Sequence, residues 1–159
     1  MSLPEIITNG GNVEFVQRLD ASGVAFLIVG GAAVAAHGCR NISAVDDLDI
    51  VIDPTTDNVR KFIAVLAACH IDFQHPVAAL AKPGVQLPVK HLHYYLDVLT
   101  PRDTRFAVML ERAVPATLDG IAVRVAGRDD LIAMKRFAIA QDDASRAKHE
   151  ADLARLEER

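Results

Sequence analysis

The chain has 159 residues, 51% of them apolar, with 17 Lys+Arg against 21 Asp+Glu and a net charge of −4. A chain of roughly 150 residues buries about two thirds of the surface its unfolded form exposes, so one compact domain can fold without disulfide or structural metal. The charge balance excludes indiscriminate nucleic-acid binding, though not a local basic groove, and the longest apolar stretch, residues 24–36, is shorter than the roughly 20 residues a bilayer-spanning helix requires.

Residues 12–21 read as a helix, because Val13, Phe15, Val16 and Leu19 share one side while Glu14, Gln17 and Arg18 lie outside that stripe. Residues 24–29 are a short apolar run followed by glycine, the pattern of a central strand buried on both faces. Gly30-Gly31 then turns into a short helix over 32–36, closed by Gly38. In residues 47–53, Leu48, Ile50 and Ile52 point to one face and Asp47, Asp49, Val51 and Asp53 to the other. One face packs and the other carries charge. Asp53-Pro54 breaks this strand, and Thr56 or Asp57 caps a helix with the stripe Val59, Phe62, Ile63 and Leu66, ending near His70. The pattern is weak over 71–88, apart from a turn at Lys82-Pro83-Gly84. Residues 91–99 read as a second acid-bearing strand, in which Leu92, Tyr94, Leu96 and Val98 alternate with His91, His93, Tyr95 and Asp97. A helix over 104–113 precedes a hairpin whose Asp119-Gly120 suits a type I′ turn, and helices over 129–140 and 145–158 finish the chain. The expected fold is one α/β (α+β) domain over 1–159, with a mixed-sheet core at about 24–127, helices mainly on one side, and a C-terminal helical tail over 128–159.

Two carboxylates at i and i+2 on a strand lie on one face, roughly 7 Å apart at the backbone. Asp47 and Asp49 can therefore flank a divalent cation, and without one they would repel. Asp97 on another strand would complete a hard oxygen site suited to Mg²⁺, which keeps water and takes its remaining ligands from substrate phosphates. A nucleoside triphosphate is the implied substrate. Gly30 and Gly31, between a strand and a helix, let the backbone approach a phosphate and aim N–H groups at it. Singly, an Asp-x-Asp is a solvated polar face and a Gly-Gly a tight turn; the order glycine pair, acid pair, later single acid is what marks a site. His91 and His93 share the expected Asp97 face but have no supporting cysteines for zinc, and His37/Cys39 and Cys69/His70 lack zinc spacing. Cys39 and Cys69 read as reduced thiols, and the N-terminal residues carry no basic region ahead of an apolar one, so a cytoplasmic location without a secretory signal is expected. Arg136, Arg146, Lys148 and Arg155 form either an RNA-facing strip or an ordinary solvated face.

Val29-Gly30-Gly31-Ala32, Arg40, Ser43, Asp47-Leu48-Asp49 and Leu96-Asp97-Val98 together resemble the nucleotidyltransferase superfamily typified by DNA polymerase beta. Within it the chain is most similar to bacterial AbiEii-like nucleotidyltransferases of toxin–antitoxin and phage-defence systems. Their late Leu-Ile-x-x-Lys and terminal Arg-x-Lys-Asp-x-x-Asp-Leu correspond to Leu131-Ile132-Ala133-Met134-Lys135 and Arg146-Ala147-Lys148-His149-Glu150-Ala151-Asp152-Leu153. Ser43 stands where Thr is common, Asp46 is an additional acid, His149 replaces Asp, and the chain is shorter than full-length toxins of that group.

The resemblance implies Mg²⁺-dependent transfer of a nucleoside monophosphate from a triphosphate to a hydroxyl, with two metals. Asp47 and Asp49 would hold the metal on the nucleotide's phosphates, and Asp97 the second metal while helping to deprotonate the attacking hydroxyl. Gly30 and Gly31 would cradle phosphate, Lys135 would neutralise the departing pyrophosphate, and Arg40 would either contact phosphate or pair with the acids. The implied acceptor is RNA, such as a tRNA end, or a cognate toxin or antitoxin protein. An aminoglycoside- or lincosamide-type small molecule is the alternative acceptor, and a non-catalytic nucleotide- or partner-binding relative the alternative class. Retention of all three acids weighs against the last, because clustered carboxylates are costly without a cation.

Overall fold

The computed structural model describes residues 2–3, 11–41, 45, 47–89, 94–141 and 144–158. In chain order these form strand β1 (Ser2–Leu3), helix α1 (Asn12–Ala21), β2 (Phe26–Val29), α2 (Gly30–Ala36), β3 (Leu48–Ile52), α3 (Thr56–Ala68), a 3-10 helix (Val77–Ala81), β4 (Gln86–Val89), β5 (Leu96–Leu99), α4 (Phe106–Arg112), β6 (Val114–Leu118), β7 (Ile121–Val125), α5 (Arg128–Ala140) and α6 (Arg146–Glu157). The seven strands make one mixed sheet in the order β1-β6-β7-β2-β3-β5-β4.

The apolar run ending in Val29 sits at the middle of that sheet, where both its neighbours supply a ladder. β2 pairs antiparallel with β3 and parallel with β7, and Leu27, Ile28 and Val29 are completely buried. β3 runs parallel to β5, with Leu48 opposite Leu96 and Asp49 opposite Asp97. β6 and β7 form the expected hairpin. Asp119 and Gly120 both adopt positive φ, 49° and 79°, as the two central positions of a type I′ turn require. The core beneath the sheet includes Phe15, whose ring meets Phe62 and Tyr94 edge-on at centroid distances of 6.3 and 6.0 Å.

Several boundaries differ from the sequence reading. The glycine turn is compressed into Gly30, whose φ of 65° turns the chain directly after β2, so that the helical span is counted from that residue. The second acid-bearing strand starts at Leu96, while Lys90, His91, Leu92 and His93 lie outside the described residues. β4 falls in the stretch whose pattern was weak, because Pro88 and the exposed Gln86 obscure the alternation. Its place at the sheet edge accommodates a residue that has no N–H to donate. Neither Thr56 nor Asp57 caps α3. Thr55 holds the N-cap position without a side-chain bond, and the Asp53 Oδ1 accepts from the Thr55 N–H at 3.1 Å, a local turn in which the Asp side chain mimics backbone.

Asn58, buried in the first turn of α3, fastens the ends of two strands. Its Oδ1 accepts from the Ala25 N–H at 2.7 Å, and its Nδ2 donates to the carbonyls of Ala25 and Asp53 at 3.0 and 2.8 Å. Asn12, fully buried, does the same for the approach to β5: its Nδ2 donates to Tyr95 O at 3.2 Å and its Oδ1 accepts from Tyr95 N–H at 2.9 Å. Asn58→Ala removes the acceptor of the Ala25 N–H, and a buried donor left without a partner costs about 1–3 kcal/mol. Urea unfolding should show that loss as a lower midpoint at unchanged slope.

Candidate functional site

Asp49 and Asp97 occupy matching positions on adjacent parallel strands, so their side chains leave the same face of the sheet, one strand spacing of about 4.8 Å apart at the backbone. On its other side Asp49 is opposite Val29, the last residue before Gly30. Gly30 has φ +65°, and a Cβ built on it would overlap the Asp49 Oδ2. The glycine is thus required twice, by its backbone conformation and by the carboxylate lying across it. Asp47 stands immediately before β3. Asp47 and Asp49 are half-buried and Asp97 is buried.

All three acids line a cleft of about 500 Å³ together with Gly30, Gly31, Arg40 and Lys135. Residues from α4 and α5 border the same cleft, among them Met109 and Met134. The structure therefore gathers every residue singled out in the sequence for metal, phosphate or catalytic roles around one cavity. Their arrangement is looser than a finished metal cage: among the described residues no group of three His, Cys, Asp or Glu side chains could hold a metal ion. Asp46, Ser43, His91 and His93 lie outside the described residues.

The helical wall carries a buried charge network. Arg40 grips Asp152 with two hydrogen bonds, its Nε donating to Oδ1 at 2.9 Å and its Nη2 to Oδ2. Lys135 Nζ lies 2.9 Å from the same Oδ2. It also lies 3.2 Å from His149 Nδ1, which accepts when the lysine is an ammonium, a group with donors only. The side chains of Arg40, Asp152 and Lys135 are at most 9% exposed. Burial pushes the Lys135 pKa down, against the opposing pull of Asp152 and of Asp49. Burial also works to raise Asp152, but the hydrogen bonds from Arg40 and Lys135 overcome it and hold that carboxyl below its usual range.

Lys135 is thus buried and paired with Asp152, whereas a lysine on a terminal helix reads from sequence as usually a solvated residue. Arg40 is bound to Asp152, and its Nη1 lies where any side chain on Gly31 would go. The second glycine is explained by that arginine. Asp152 and His149 had no role in the sequence reading. Their signal was their spacing of three on one helix, which puts both on the face that meets α5.

No family model matches the chain, and no curated protein matches it. Among solved structures it is similar to an antigenic nucleotidyltransferase-like protein from Paracoccidioides brasiliensis, at 17% identity and a TM-score of 0.49, covering 91% of this chain and 73% of that one. Among the described residues no helix is long and apolar enough to cross a membrane.

Two glycines separate backbone strain from the Asp49 contact. Gly23 and Gly30 share a positive φ, but a Cβ on Gly23 meets nothing within 4 Å. Gly23→Ala should cost only the left-handed penalty of about 1–2 kcal/mol, with the site intact. Gly30→Ala should cost more in thermal melts and displace Asp49.

Asp152 makes acid stability a second readout. A carboxyl whose folded pKa lies below its unfolded value of 3.8 contributes stability that is complete above about pH 4 and is lost as pH falls through the folded pKa. Asp152→Asn should remove that component of the acid limb. At pH 7 it should cost on the order of 3–5 kcal/mol, the usual penalty for stranding a buried partner charge, measured by denaturant unfolding at each pH.

Proposed function

We propose that this cleft carries out Mg²⁺-dependent nucleotidyl transfer, moving a nucleoside monophosphate from a triphosphate to a hydroxyl acceptor. The observation that supports this reading best is the register of Asp49 with Asp97, beside Asp47 and opposite a buried lysine. Carboxylate oxygens suit a hard cation, and Mg²⁺ is commonly held by one or two carboxylates while substrate phosphates and water complete its shell. Among the described residues the acids form no three-ligand cage, which fits a metal that arrives with its nucleotide. Asp47 and Asp49 would hold the ion on the phosphates and Asp97 a second one; bound there, Mg²⁺ supplies charge neutralisation at the reacting phosphoryl group.

The remaining work falls to the chain. Asp97 accepts the proton of the acceptor hydroxyl as its oxygen forms a bond to the α-phosphorus. The bond from that phosphorus to the bridging oxygen breaks, and pyrophosphate leaves with its electron pair. Lys135, fixed by Asp152 and His149, offsets the charge of the departing pyrophosphate. Gly30 and Gly31 bring backbone to the edge of the phosphate path. Arg40 acts through Asp152, orienting the wall that presents Lys135. The acceptor is assigned to a macromolecule, an RNA end or a partner protein, on the likeness to AbiEii-like enzymes.

The alternative class is a relative that binds metal and nucleotide without transferring it. Incubation with each α-labelled triphosphate, Mg²⁺ and either total RNA, cell protein or an aminoglycoside panel separates them. Transfer predicts label on RNA or protein, abolished by chelation and reduced about 10²-fold or more by Asp49→Asn or Asp97→Asn. The double variant should lose little beyond the worse single one, because the acids act as a unit. Label on the small molecules would reassign the acceptor. A rise in melting temperature with Mg²⁺ and triphosphate, without label transfer to any acceptor, would establish the second reading.

A further inference from the structure

The cleft lining contains a feature that neither the acids nor the buried cations use. Arg102 lays its guanidinium over the ring of Phe137, with the central carbon 3.7 Å from the ring centroid, and both residues line the cleft. Phe137 lies on α5 two residues past Lys135 and is only half-buried. Arg102 is half-exposed at 51%, with the exposed Asp103 carboxylate 3.9 Å away, a separation at which an ion pair in water is worth little.

The loop that carries Arg102 is pinned just ahead of it to residues 82–85. Thr100 donates from its hydroxyl to Lys82 O at 2.6 Å, accepts at that oxygen from the Val85 N–H at 2.9 Å, and donates its own N–H to Val85 O at 2.9 Å. The Gly84 N–H donates to Pro101 O at 3.2 Å. Gly84 has φ +65°, and a Cβ there would come within 2.9 Å of Arg102 Nη1. The arginine is therefore steered across a bare backbone onto the aromatic ring.

We infer that the Arg102–Phe137 stack is the nucleobase platform of the cleft, on which the base of the bound nucleotide forms a further layer. This rests on the nucleotidyl-transfer reading and names the part of the substrate that the acids do not address. A guanidinium with one face on an aromatic ring presents a flat, weakly hydrated surface to other planar groups. A base stacked on it gains affinity with little sequence preference, because every base has a π-face. A phosphate would instead approach the N–H edge of Arg102. The distance suits one molecule: Arg102 follows Asp97 by five residues, at most about 17 Å of extended chain, so phosphates at the acids and a base at the stack belong to a single extended ligand.

The test compares Mg²⁺-nucleoside triphosphate with Mg²⁺-tripolyphosphate, which has the phosphates and no base, by calorimetric binding to the full chain. The wild type should bind the nucleotide about tenfold or more tightly than tripolyphosphate. Phe137→Ala and Arg102→Ala should each erase most of that ratio while leaving tripolyphosphate affinity within about twofold. Phe137→Tyr should keep the ratio, and Arg102→Lys, which retains the charge but not the plane, should lose it. Equal binding of the two ligands by the wild type, or an unchanged ratio in Phe137→Ala, overturns the platform and leaves the transfer reading standing. A fall in tripolyphosphate affinity equal to that of the nucleotide on Arg102→Ala overturns it as well, by making Arg102 a phosphate ligand. Binding of neither ligand by the wild type overturns the platform and the transfer reading together.

Discussion

The carboxylate of Asp152 accepts hydrogen bonds from two cations that reach it from distant parts of the chain, Arg40 112 residues upstream and Lys135 on the preceding helix. Such a buried cluster contributes little net stability compared with an apolar packing of the same volume, but removing one member strands the others. Its effect is therefore selective: α6 is held at one orientation, because in any other the two cations would be buried without a partner. Nearby ties act in the same sense. Arg128 Nη1 donates to Leu156 O at 2.8 Å, and Arg155 Nη1 donates to Cys39 O at 3.4 Å. The last helix is in this way part of the cleft wall, and the position of Lys135 is set by a residue on a different helix.

A second constraint acts on the sheet. Parallel pairing of β3 with β5 allows a whole-strand register in which Leu48, Asp49 and Ile50 face Leu96, Asp97 and Val98, so the packed residues and the acids are matched together. A slip of one residue would bury the acids and expose the leucines. The asparagine clamps work on the same strands from outside: Asn12 holds the backbone just ahead of Leu96, and Asn58 holds the β2 approach against the end of β3. Gly30 then admits the Asp49 side chain where a methyl group would collide with it.

The sheet centre and its acids were legible because period-two alternation is strong in Leu48-Asp49-Ile50 and in Leu96-Asp97-Val98, and the hairpin because Asp119-Gly120 has a specific backbone demand. β4 was hidden by Pro88, whose tolerance depends on being at an edge, a fact of the assembled sheet and not of the local sequence. The cap of α3 was misplaced because the Asp53 side chain satisfies the Thr55 backbone instead. At the site, the glycine pair and the acids could be named from their order along the chain, but not the reason for each glycine. That reason is a long-range contact, with Asp49 for Gly30 and Arg40 for Gly31. Asp152 stood in the terminal motif without a role, since a carboxylate on a charged amphipathic helix looks like solvent-facing polarity until its partners are placed.

The charge layout also bears on how the carboxylates are placed beside the helical wall. Lys135 feels Asp49 as well as Asp152, and Arg40 shares Asp152, so this network carries two cations for one carboxylate, a surplus of positive charge. In the free protein that surplus offsets part of the repulsion between Asp49 and its neighbours. On the proposed function a metal–triphosphate would bring both signs of charge, its cation toward the acids and its phosphates toward Lys135. Ligand binding would then exchange one set of ion pairs for another with little net change in buried charge. On that reading metal alone would add to the positive charge of Lys135, and triphosphate alone to the negative charge of the acids, so the two halves of the ligand would favour arriving together.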